Sequence, residues 1–147
     1  MLEAISKAEL GDDVFQEDPT VNKLEYLAAK TFNKESAIFM PSGTMANLVA
    51  ILTHCQRGDE VILGDQSHTF LYEAGGISSF GGVHSRQIKN YNDGTISLED
   101  IKNSIRKKDV HFPPSRLVCL ENTHNRCFGM PLDMNYINEV SEIVKNN

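Results

Sequence analysis

Residues 61–63 read Val-Ile-Leu, and the polar stretch Asp65-Gln66-Ser67-His68 follows after a single glycine. Three apolar residues in a row cannot belong to a strand with one wet face, which would alternate. They fit a strand covered on both sides, as in a parallel sheet sandwiched between helices. Residues 117–120, Leu-Val-Cys-Leu, repeat the pattern and again run into a polar loop. Helical periodicity fills the interval between the two runs, so the expected class is α/β with a mostly parallel sheet and flanking helices.

The remaining elements fall around these strands. Residues 1–8 read as a short helix and 11–19 as an acidic, turn-rich loop. Pro19 and Thr20 open a helix with Val21, Leu24, Ala28 and Phe32 on one face. Residues 36–40 read as a short strand. Pro41-Ser42-Gly43 then turns the chain into a helix whose apolar stripe is Met45, Leu48, Val49 and Leu52. Residues 57–59 form a turn. Residues 69–80 read as a helix interrupted by Gly75 and Gly76, and 83–88 as a strand. Asn92-Asp93-Gly94 marks a turn. Ser97, with Asp100 three residues on, caps a helix bearing Leu98, Ile101 and Ile105. The last helix places Ile137, Val140 and Val144 on one face.

Charge limits the partners. Fourteen basic residues stand against twenty acidic ones, a net charge of −6. A nucleic-acid binder concentrates positive charge, so that class is disfavoured. The one basic cluster, Arg106-Lys107-Lys108, sits at a predicted helix end, where cations are favoured anyway. Three cysteines without a pairing pattern point to reduced thiols, no apolar stretch is long enough for a membrane span, and no signal-peptide pattern opens the chain. The expectation is a cytoplasmic protein. No metal-ligand spacing occurs, and no serine-hydrolase elbow.

Three polar clusters can carry chemistry. In Ser42-Gly43-Thr44 a helix begins, and the unpaired amides of a first turn can hold a phosphate; an ordinary serine cap is the other reading. His68 follows the strand at 61–63, where ligands of open α/β sheets sit, and its imidazole can stack on a flat aromatic group; a loop histidine is the alternative. Glu121-Asn122-Thr123-His124-Asn125-Arg126 follows the second buried run, either as donors to a small polar ligand or as a loop that pins itself. All three follow predicted strands, so one crevice can gather them.

Together these residues resemble the low-specificity L-threonine aldolases among the fold-type-I, aspartate-aminotransferase-like pyridoxal-phosphate enzymes. The resemblance is carried by Gly11-Asp12-Asp13-Val14-Phe15, Glu17-Asp18-Pro19-Thr20-Val21-Asn22, Ser42-Gly43-Thr44-Met45-Ala46-Asn47, then Asp65, Ser67 and His68, and Leu120-Glu121-Asn122-Thr123-His124-Asn125. It implies retro-aldol cleavage of L-threonine or L-allo-threonine to glycine and acetaldehyde with pyridoxal 5′-phosphate. Ser42, Gly43 and Thr44 would hold the cofactor phosphate and His68 would stack on its ring. His124 would help remove the substrate hydroxyl proton, directly or through water. Residues 11–17 would reach a neighbouring subunit's site in a homo-oligomer, a tetramer in the family.

Two departures accompany the resemblance. Phe15 stands where family members commonly carry tyrosine. Residues 1–147 are also expected to form an incomplete cofactor-binding large domain, lacking the Schiff-base lysine and the Asp-Gly-Ala-Arg segment, since no lysine present has that motif context. The alternatives are therefore a non-catalytic truncated form or a related β-eliminating lyase, and the isolated chain is expected to be poorly soluble and catalytically silent.

Overall fold

The computed structural model describes residues 1–147 as two compact units, Met1–Pro41 and Ser42–Asn147. The first unit holds α1 (Leu2–Ser6), a 3-10 turn (Asp13–Phe15) and α2 (Pro19–Thr31). Asp18 starts α2: its carboxylate accepts the Thr20 and Val21 amides, and Pro19 occupies the first helical position, where its missing N–H costs nothing. The other Asp18 oxygen accepts the Gly11 amide at 3.1 Å. A Cβ on Gly11 would overlap the Glu17 carbonyl, so this loop closes only around glycine.

The strand expected over residues 36–40 is not formed. No neighbouring strand offers it a ladder, and the Phe39 amide donates instead to the Glu25 carboxylate at 2.6 Å. Apolar composition alone does not make a strand, because its backbone groups need a partner.

The second unit carries the sheet. In chain order it holds α3 (Gly43–His54), β1 (Glu60–Gly64), α4 (His68–Leu71), α5 (Gly76–Ser79), β2 (His84–Ile88), α6 (Leu98–Ser104), β3 (Ser115–Val118) and α7 (Met134–Lys145). Strand order is β2-β1-β3, with both pairings parallel. All five residues of β1 are buried, as the apolar run requires of a central strand. Val61 and Leu63 pack with Ile51, Cys55, Ile77 and Val83; Ile62 points the other way, into Ile88, Ile96, Ile101 and Val140. The alternation sorts the helices into two layers, α3 and α5 on one face and α6 and α7 on the other.

Several boundaries differ from expectation. The helix read over 69–80 is two short helices, because the chain turns left-handed at Ala74 and Gly75. β3 ends at Val118, and its residues are half-buried or exposed because one edge is unpaired. The α3 stripe is rotated: Met45, Val49 and Leu52 are exposed, whereas Ile51 and Cys55 enter the core. A helix apolar nearly all round does not reveal its buried face by periodicity. The Ser97 cap forms as expected, accepting the Asp100 amide at 3.2 Å. No helix is long and apolar enough to cross a membrane.

Arg106 has a role that helix-end electrostatics did not suggest. Its Nε donates to both oxygens of the fully buried Glu60 carboxylate, at 3.0 and 3.1 Å, while Ser115 Oγ donates to the same group at 3.2 Å. The guanidinium lies 5.2 Å from the centre of the Phe112 ring. This ion pair ties β1 to the segment after α6, at the sheet end opposite the polar loops.

Candidate functional site

Parallel β1 and β3 both end at the same edge of the sheet, and the chain leaves β1 towards β2 but returns on the far side to make β3. A crevice is left between the carboxyl ends of β1 and β3, the usual ligand position in such sheets. A cavity of about 520 Å³ lies there, and Asn47, Ser67, His68, Cys119, Glu121 and Asn122 are among its walls. The size suits a small-molecule ligand.

His68 opens α4 and is fixed at two points. Its backbone amide donates to Glu121 Oε2 at 2.6 Å, and its ring Nδ1 lies 2.9 Å from Glu73 Oε1. Glu73 is buried, and the same oxygen accepts Asn47 Nδ2 at 2.7 Å. The imidazole is therefore held from α3 through Glu73 and the backbone from the β3 loop through Glu121, yet 41% of the side chain remains exposed. The Tyr72 ring stands 5.5 Å away, tilted by 54°, and its hydroxyl accepts Arg126 Nη1 at 2.6 Å.

Ser42 caps α3, its Oγ accepting the Met45 amide at 3.2 Å. Gly43 and Thr44 occupy the first two helical positions, so their amides have no intrahelical acceptor. A Cβ on Gly43 would meet no protein atom within 4 Å, so packing does not demand a glycine there. Ser42, Gly43 and Thr44 do not line the cavity themselves; Asn47, one turn further along α3, does.

His124 is placed differently from His68. Its ring is fully buried, neither nitrogen has a hydrogen-bond partner, and Nε2 lies 4.0 Å from Glu121 Oε2. A Cβ on Gly94 would press on its Cβ at 2.8 Å, so the turn at residues 92–94 packs directly against it. His124 is not among the cavity walls. Glu121 ties the His68 backbone to the loop after β3, since its other oxygen accepts the Asn125 amide at 2.8 Å.

Two other residues of the polar edge have structural tasks. Asp65 accepts the Asn90 amide at 2.9 Å, and Asn90 Oδ1 accepts that of Gln66 at 2.9 Å, which ties the β1 and β2 loops together. Cys119 lines the cavity, but burial, reinforced by neighbouring Cys55, pushes its thiol up to about 12. It is no nucleophile near neutral pH.

The profile of the family described as "Beta-eliminating lyase" matches residues 1–147. The chain belongs to the beta-eliminating lyase family. Within it, low-specificity L-threonine aldolase 1 of Arabidopsis thaliana is 49% identical over 150 residues, covering 100% of this chain and 42% of the relative. The low specificity L-threonine aldolase of Escherichia coli K12 is 46% identical over 145 residues, covering 99% and 43%. The threonine aldolase structure of Leishmania major superposes with a TM-score of 0.75 at 22% identity, covering 88% of this chain and 38% of that one, a likeness of fold. The expected fold-type-I α/β architecture is thus the one found. The chain spans about two-fifths of the length of the curated relatives it matches.

In this member of the beta-eliminating lyase family, the sequence points to His68 and His124 as candidates but not to the carboxylate that holds His68. Glu73 lies five residues beyond His68, in a stretch that reads as a broken helix. Its partner Asn47 is 26 positions away. Asn47 did stand within the quoted Ser42-to-Asn47 motif, and that was the available signal.

Proposed function

We propose that this segment holds pyridoxal 5′-phosphate by its phosphate and ring in a low-specificity L-threonine aldolase, whose full-length polypeptide cleaves L-threonine or L-allo-threonine to glycine and acetaldehyde. The observation that carries the reading is His68, held between two carboxylates on the wall of a 520 Å³ cavity at the carboxyl edge of a parallel sheet. The alignment of nearly all of this chain with about two-fifths of curated threonine aldolases supports the choice of reaction.

The residues fit the cofactor. Gly43 and Thr44 present two amides at the positive end of a 12-residue helix, and the space around the Gly43 Cα lets an anion approach them. Ser42 and Thr44 add hydroxyl donors. His68 offers a ring whose orientation is already fixed. When bound, the cofactor supplies an electron sink for cleavage of the bond between Cα and Cβ.

The chain's own residues bind, orient and move protons. His124 is the proposed acceptor of the substrate hydroxyl proton, directly or through water, on the resemblance alone; its buried imidazole lacks protein partners and lies outside the cavity wall. Residues 11–17 are proposed to complete a neighbouring site in a homotetramer.

The test is acetaldehyde and glycine release from L-threonine by the full-length polypeptide carrying this segment. His68→Asn is expected to lower turnover about tenfold or more, or about 1.4 kcal/mol of transition-state stabilisation, with little change in stability. Undiminished turnover in His68→Asn removes His68 from the site. An α-keto acid and ammonia in place of acetaldehyde would assign β-elimination.

A further inference from the structure

Glu73 Oε1 accepts a hydrogen bond from the Asn47 side-chain amide at 2.7 Å and lies 2.9 Å from His68 Nδ1. An oxygen acting as acceptor towards Asn47 leaves the imidazole to donate, so Nδ1 carries the proton. The neutral ring then has its lone pair on Nε2, which no protein group engages. Glu73 is buried and its own position is set by α3, while the His68 backbone is set separately by Glu121. A ring anchored at Nδ1 and at its own amide has little freedom about either side-chain torsion.

We propose that Glu73 is a positioning residue for His68: with Asn47 it fixes the ring plane and the Nδ1–H tautomer, leaving Nε2 as a hydrogen-bond acceptor on the cavity wall. The role in turnover rests on the aldolase reading above; the tautomer does not. A side chain that must present one flat face to a bound aromatic ring gains from such restraint, because the ordering is complete before the ligand arrives. Asn47 extends the restraint into the helix whose first turn is the proposed phosphate site, so ring and phosphate contacts are held in one register.

The test is NMR of the full-length polypeptide labelled with ring-15N histidine, His68 being assigned by the signals lost in His68→Asn. The wild type, at a pH high enough to leave the ring neutral, is expected to show a protonated Nδ1 and an unprotonated Nε2 at His68. Glu73→Leu is expected to replace that pattern with a tautomer mixture and to lower kcat on L-threonine about tenfold or more. Glu73→Gln keeps the acceptor oxygen, and is expected to keep the Nδ1–H form and recover most of kcat. A wild-type His68 with its proton on Nε2 overturns the proposal, as does a Glu73→Leu protein with the wild-type tautomer. The wild-type spectrum decides the point even where Glu73→Leu does not fold. An intact Nδ1–H pattern without acetaldehyde production would remove the aldolase reading and support the positioning role alone.

Discussion

Asp18 and Glu73 are both buried carboxylates, but they act on different objects, one on a backbone and the other on a ring. The Val21, Gly11 and Thr20 amides hold the Asp18 carboxyl below the ordinary carboxylate range. A carboxylate whose pKa is lowered by folding stabilises the folded state fully above its unfolded pKa, and that stabilisation is lost as pH falls through the folded value. Urea midpoints of wild type and Asp18→Asn are therefore expected to differ by a constant amount above about pH 5 and to converge below about pH 4. A gap that widens on acidification would contradict this. Residues of this scale divide sharply in how well the sequence shows them. Of Asp18 the sequence showed only the helix that follows it: Pro19 and Thr20 before an apolar period made the start of α2 legible, but not the cap itself. Glu73 was not legible either, since its partners come from α3 and from an imidazole that only the fold brings near. His124 stood out by its motif, yet its full burial had no local sign.

At the scale of elements, β1 was the most legible because its burial on both faces removes every polar residue from its centre. Its first residue breaks the rule: Glu60 is fully buried and held by Arg106 and Ser115, 46 and 55 positions away. Arg106→Ala would remove that carboxylate's nearest charge partner while Arg86 Nη1 stays 3.9 Å and His84 Nε2 3.5 Å from it, a loss expected to cost about 3 kcal/mol or less. Glu60→Leu combined with Arg106→Leu is expected to recover much of it, because apolar groups of similar size do not need each other's charge. Urea unfolding with an unchanged m-value measures both, and an Arg106→Ala protein as stable as wild type would show the pair to be dispensable. Residues 36–40 and the α3 stripe failed for the same physical reason. Each is apolar enough for its assigned element, but strand formation and helix facing are settled by neighbours distant in sequence.

Across the whole molecule, the alternation of elements was enough to give the α/β class, but not the strand order. That β1 lies between β2 and β3 is decided by packing: Val61 and Leu63 face one helix layer while Ile62 faces the other. The order matters because it puts the loops after β1 and β3 on one crevice and brings His68 beside Glu121. The first turn of α3 and the wall formed by His68 are proposed to hold pyridoxal phosphate together. Gly43 tests it most cleanly, since no protein atom lies within 4 Å of where its Cβ would stand, so that a substitution there brings no steric clash with the fold. The deciding measurement is the pyridoxal phosphate affinity of the full-length polypeptide, wild type against Gly43→Asp. A carboxylate placed at those amides is expected to weaken binding about tenfold or more, at least about 1.4 kcal/mol, while the unfolding midpoint changes little. Equal affinity in the two proteins would contradict the claim and take the start of α3 out of the cofactor site.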